Sequence, residues 1–150
     1  MYISSAAIRT RPVRNAALAG LLVAALANSA CARRPASLNV TLDRQTDQRS
    51  YRVKIASETN PIPLSMVHQW SVQVMSIDGK PVAGATIRID GGMPEHGHGL
   101  PTAPRVEETA IPGSYRIKGM KFSMTGWWVL KLDIRAPDGR ADKITFNVVL

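Results

Sequence analysis

Cysteine is almost missing from this sequence: the only one in 150 residues is Cys31, close to the start. No intramolecular disulfide can form, and if Cys31 is removed or carries lipid, the folded part has no thiolate metal site and no cysteine nucleophile. Long apolar runs are missing too. The uninterrupted apolar and small run Ala16–Ala27 has twelve residues, whereas a helix crossing a bilayer needs about 20, and no later stretch is longer. After that run no segment shows the i, i+3, i+4, i+7 apolar spacing of an amphipathic helix. No internal repeat or low-complexity tract is present. There is no nucleophile elbow and no triad-like arrangement that would align a base with Ser or Thr, which leaves enzymatic readings little support. The positive charges are scattered singly, without the basic run that nucleic-acid binding calls for.

The N-terminus carries what the rest lacks. Arg9, Arg11 and Arg14 precede the apolar run, no acid accompanies them, and the small-residue segment Asn28-Ser29-Ala30-Cys31-Ala32 follows. These are the three parts of an export signal. Two processing routes fit: Ala30-Cys31-Ala32 offers small residues at −3 and −1 for a signal peptidase, while Ser29-Ala30-Cys31 resembles a lipoprotein box with Cys31 as the acylated residue. The expected organisation is a signal over residues 1–32, a tether over 33–37 and one domain over 38–150, exported to the periplasm or lipid-anchored to an envelope membrane. Of the 19 Lys and Arg, three lie in the signal, so 16 remain against 11 acids, a net charge of +5. About 118 residues bury one core and no more.

The pattern from residue 38 onward is β. Leu38, Val40 and Leu42 alternate with polar neighbours, and so do Tyr51, Val53 and Ile55, as half-buried strands do. Met66, His68, Trp70, Val72 and Val74 share one face of a longer strand. Asp78-Gly79-Lys80-Pro81 is a turn, after which Ala85, Ile87 and Ile89 alternate in a returning strand expected to form a hairpin with it. Residues 91–104 hold four Gly and three Pro and read as a long irregular loop. Further strands follow at Val106–Thr109, Tyr115–Lys118, Trp127–Ile134 and Lys143–Leu150. About seven or eight strands with turns roughly every ten residues predict an antiparallel, immunoglobulin-like β-sandwich, with a small closed barrel as the alternative.

The loop is where the chemistry concentrates. Met93, His96 and His98 lie in it; His68 sits on the long strand, and Met120 and Met124 precede Trp127. Imidazole and thioether are soft to borderline donors, which suit copper better than magnesium or calcium. Without a thiolate, copper is also more natural than a structural zinc site. His-x-His on an extended segment places both rings on one face, and Gly97 and Gly99 let the backbone close around an ion. Against this stands the plainer reading: Met93 plugs the end of the sandwich, as methionines fill gaps, and His68, with the inward parity of Trp70, is a core-edge histidine bonded to backbone. Trp127 and Trp128 are core and rim, with a Trp beside a His/Met site able to stack over a cation.

Four segments in order, Asp78-Gly79-Lys80-Pro81-Val82-Ala83-Gly84-Ala85, Met93-Pro94-Glu95-His96-Gly97-His98-Gly99, Gly113-Ser114-Tyr115 and Phe122-Ser123-Met124-Thr125-Gly126-Trp127-Trp128, give the chain a resemblance to the YtkA-like and FixH-like family over about residues 64–150, the Met-Pro-x-His-Gly-His-Gly stretch being its most specific part. The resemblance implies a small extracytoplasmic β-sandwich, often encoded near copper-handling or respiratory oxidase assembly functions. FixH-like members usually keep an N-terminal membrane helix, from which the short run here departs. The domain is also similar to periplasmic copper-resistance sandwiches that bind copper through His and Met, though the N-terminal His they often use is absent. The expectation is a non-enzymatic envelope protein that binds copper or another soft metal ion through Met93, His96 and His98, with His68, Met120 or Met124 completing the site. The rival is an interaction module for a membrane or envelope protein partner; a hydrolase or redox enzyme comes third.

Overall fold

The computed structural model describes residues 33–150; the signal expected over residues 1–32, with Cys31, lies outside the described residues. Among the described residues no helix is long and apolar enough to cross a membrane. Among the described residues the elements are nine strands: β1 Asp43–Gln45, β2 Tyr51–Ser57, β3 His68–Ser76, β4 Thr86–Met93, β5 His98–Gly99, β6 Arg105–Glu108, β7 Ser114–Met120, β8 Trp127–Arg135 and β9 Ala141–Val149. They form two antiparallel sheets, ordered β1-β2-β3-β7-β6 and β5-β4-β8-β9. Taking β2, β3, β7 and β6 as strands A, B, E and D, and β4, β8 and β9 as C, F and G, this is the ABED and CFG order of a constant-type immunoglobulin sandwich.

Period-two alternation determines which residues meet between the sheets. Tyr51, Val53 and Ile55 from β2, Trp70, Val72 and Val74 from β3, Trp128, Leu130, Leu132 and Ile134 from β8, and Ile144, Phe146 and Val148 from β9 are all buried in one cluster, while Lys131, Asp133 and Arg135 face outward. The two expected hairpin partners, β3 and β4, lie in different sheets instead. The turn forms, with Gly79 at φ 82° and the Ser76 amide bonded to the Lys80 carbonyl at 2.8 Å, but pairing stops at the single bridge Met75–Pro81. Pro81 has no N–H with which to extend a ladder, so the chain crosses to the facing sheet. There the Tyr115 hydroxyl fixes the crossing, donating to the Val82 carbonyl at 2.6 Å and accepting from the Ala85 amide at 2.9 Å.

Two other segments differ from expectation. Leu38–Leu42 is not a strand; its polar groups are used one at a time, the Asn39 carbonyl accepting from Asn147 Nδ2 at 2.8 Å and the Leu42 carbonyl from the Ile55 amide at 2.8 Å. Residues 91–104 are not wholly irregular: β4 continues through Gly91 and Gly92 to Met93, and β5 pairs back on it with Met93 opposite His98. Gly92 is required there, because a Cβ would run into the His98 carbonyl oxygen.

The edge between β2 and β9 is closed by a buried carboxylate. Asp142 accepts from the Thr46 hydroxyl at 2.6 Å, from the Gln48 and Ser50 amides at 3.1 Å and from the Lys143 amide at 2.8 Å. Burial alone would raise its pKa, but these donors outweigh burial and lower it from 3.8 to about 2. A carboxyl whose folded pKa lies below its unfolded value contributes stability above the unfolded value and loses it as pH falls through the folded one. We therefore expect Asp142→Asn to lower stability at neutral pH by on the order of 2 kcal/mol, with the gap to the parent narrowing between about pH 5 and pH 2, as read by urea midpoints across that range.

Candidate metal centre

The candidate donors come from four places in the chain and meet at one end of the sandwich. His68 opens β3 and lies directly across the ladder from Met120 at the end of β7; Met93 closes β4, and Trp127 opens β8 beside it. The connection 121–126 joins β7 to β8, and so brings the ends of the two sheets together. Phe122 in that connection touches both, with its ring centroid 5.4 Å from His68, 6.2 Å from Trp70 and 5.1 Å from Trp128.

The histidines divide into a surface pair and a single interior residue. His96 and His98 are exposed, with ring centroids 5.9 Å apart at an interplanar angle of 29°. Their neighbourhood is made by a tight turn, not by an extended segment: the Met93 carbonyl accepts from the His96 amide at 3.1 Å and the Gly97 amide at 2.9 Å, and Gly97 takes φ 66°. The His98 ring stands edge-on to Trp128 at 5.7 Å. Behind the turn, His98 and Met93 border a shallow hollow of about 280 Å³ with Asp90 and Lys131.

The Met93 side chain is only 1% exposed, packed beneath the turn against Gly126. Met120 is fully buried and His68 is 6% exposed, its Nδ1 3.0 Å from the Met66 carbonyl. The Met124 side chain faces outward, while its carbonyl accepts from Trp128 Nε1 at 3.1 Å. Trp128 is wholly buried and Trp127 nearly so, its Nε1 donating to Asn147 Oδ1 at 2.9 Å.

Among the described residues no three of His, Cys, Asp or Glu are grouped to hold an ion. The histidines at this end lie near the thioethers of Met93, Met120 and Met124. That chemistry fits copper, silver and other soft ions, and fits poorly the oxygen-seeking ions. Two features escaped the sequence reading. Phe122 has no polar group to mark it, and Met66, at the start of the expected strand, is instead 65% exposed beside Val67 in the approach to His68.

The profile of the YtkA-like family matches residues 45–133. Among solved structures, a DUF4426 family protein from Pseudomonas aeruginosa is similar at 17% identity and a TM-score of 0.53, over 72% of this chain and 94% of that one; this likeness shows the fold. The C-terminal domain of ZirS aligns at 11% identity and a TM-score of 0.40, over 98% of this chain and 97% of that one. No curated protein matches the chain.

Gly126 is the residue on which the seating of Met93 depends. It takes φ 126°, and a Cβ on it would lie 2.7 Å from the Met93 methyl carbon. Gly126→Ala is expected to cost about 1–3 kcal/mol, chiefly through backbone strain at its positive φ, since the Met93 methyl is the end of a flexible side chain; the measurement is a lower urea midpoint with an unchanged slope.

Proposed function

The chain belongs to the YtkA-like family, and from that premise, with the donors gathered at one end of its β-sandwich, we propose that it is a non-enzymatic extracytoplasmic protein that binds copper or another soft metal ion for delivery, buffering or oxidase assembly. The observation that carries the reading is the convergence itself. Residues from the start of β3, the β4–β5 turn, the end of β7 and the β7–β8 connection meet where turns present side chains on a rigid scaffold, as binding residues commonly do. The exposed His96 and His98 pair is the point of capture, and two imidazoles on one turn suit Cu(II). The export signal read over residues 1–32 supports a location in the periplasm or, with Cys31 acylated, on an envelope membrane; oxidase assembly enters the same reading through the FixH-like resemblance.

One observation favours a second reading. Leu64, Met66, Val67 and Met124 are all at least 40% exposed, and Leu64 is bridged to Phe122, so apolar side chains crowd the same end. A docking edge for an envelope protein partner would look like this, and would show as co-purification that survives chelation.

Trp128 gives the metal-binding reading an optical readout, because an ion held on His98 sits beside its indole. Cu(II) added to the purified protein is expected to quench tryptophan emission at one equivalent, and the His96→Ala, His98→Ala double variant to lose that quenching while keeping its melting temperature. Equal affinity in the parent and the double variant would remove the surface pair from the site.

A further inference from the structure

The interior histidine carries more than its place in the core explains. Among the described residues, His68 Nε2 and Trp70 Nε1 are the buried side-chain polar atoms without a hydrogen-bond partner. A buried polar group left unpaired is costly, and each such atom asks for a cause. His68 is also held as metal-binding histidines are. A carbonyl oxygen only accepts, so the contact from Nδ1 to the Met66 carbonyl at 3.0 Å puts the proton on Nδ1 and leaves Nε2 of the neutral ring as a bare lone pair. A backbone carbonyl fixing the tautomer of a ligating imidazole is the usual outer support of a metal site.

A soft partner stands beside it. Met120 is the register partner of His68 across the β3–β7 ladder, next to a bulge between His68 and Trp70, and both side chains are buried; partners in a regular ladder have Cβ atoms about 4.5–5.5 Å apart. That separation lets an imidazole nitrogen and a thioether sulfur close on one ion. His68 borders a groove of about 620 Å³ that Glu58, Thr59 and Gln69 share with Pro61, Met66 and Val67; Met66 is exposed there, while Met120 is fully buried and does not line the groove.

We infer that His68 Nε2 and the Met120 thioether form a second, interior site for a soft monovalent ion, cuprous copper by preference, entered past Met66 and distinct from the His96 and His98 pair. One buried nitrogen and one buried sulfur suit an ion content with few soft ligands, and suit poorly divalent ions that need oxygen or several nitrogens. The inference rests on the soft-metal reading only for the kind of ion, since it shares no ligand with the surface pair. The protein then holds copper in two places that differ in burial and donor softness, a surface site for capture and an interior one for retention.

Silver(I) is the probe, being soft, monovalent and free of redox change. The purified full-length protein, labelled with ¹⁵N, is titrated with Ag(I) while the imidazole nitrogens are followed by long-range proton–nitrogen correlation. The expected result is a large shift of His68 Nε2 at one equivalent, retained in the His96→Ala, His98→Ala variant. In Met120→Leu, which keeps the volume and the fold, affinity falls by more than about tenfold, and His68→Gln abolishes the shift. A His68 Nε2 signal unmoved by Ag(I) would overturn the inference and leave a water bridging Trp70 and His68 as the occupant. Unchanged affinity in Met120→Leu would overturn it as well. Shifts confined to His96 and His98 would uphold the surface site and reject the interior one; a His68 shift without them would do the reverse.

Discussion

The arrangement at the donor end depends on Phe122. Its ring is fully buried and lies against His68 and Trp70 of one sheet and Trp128 of the other, within 5.1–6.2 Å. Its carbonyl accepts from the Ser65 amide at 2.6 Å, which ties the segment leading into β3 to the connection between β7 and β8. An aromatic group of this size contributes several kcal/mol by burial. Its position does more, because it sets the spacing between the sheets at the end where His68, Met93, Met120 and His98 gather. Edge-on ring contacts run from His98 to Trp128 and from Trp128 to Phe122, and a tilted one continues to His68, so surface and interior donors are mechanically joined while aromatic rings stand between them.

The treatment of buried polar groups differs around the molecule. At the β2–β9 edge Asp142 collects donors from Thr46, Gln48, Ser50 and Lys143, and the Tyr51 hydroxyl donates to the Arg140 carbonyl at 2.9 Å. At the crossing between the sheets the Tyr115 hydroxyl both donates and accepts. Those clasps are complete, as structural polar groups in a low-dielectric interior need to be. The donor end is incomplete by the same measure, since His68 Nε2 and Trp70 Nε1 have no partner among the described residues. Polar atoms left open at one end of an otherwise satisfied sandwich are where a ligand does the most thermodynamic good.

Much of the fold was legible because a two-sided sheet imposes a strict alternation. The alternation of Tyr51, Val53 and Ile55 gave both the existence and the inward face of β2, and Trp70, Val72 and Val74 did the same for β3. What failed required knowledge of other chain segments. The alternation of Leu38, Val40 and Leu42 is genuine, but their backbone groups go singly to Asn147 and Ile55. Gly91 and Gly92 look like loop residues until Val129 and His98 approach them so closely that only glycine fits. The donor types could be read from the sequence, whereas their meeting place could not, because it depends on strand order and on an unmarked phenylalanine. The surface pairing of His96 and His98 was anticipated, though a turn on the Met93 carbonyl creates it instead of an extended strand.

The central claim is that one end of this sandwich is its ion-binding end. The most direct test is paramagnetic broadening of the backbone amide spectrum by Cu(II) well below one equivalent. The account predicts loss of signal confined to the β4–β5 turn around Met93–Gly99 and to Phe122–Trp128, with the opposite end, at Asp78–Gly84 and Pro137–Arg140, untouched. Broadening spread evenly over the surface, or centred on the opposite turns, would contradict it.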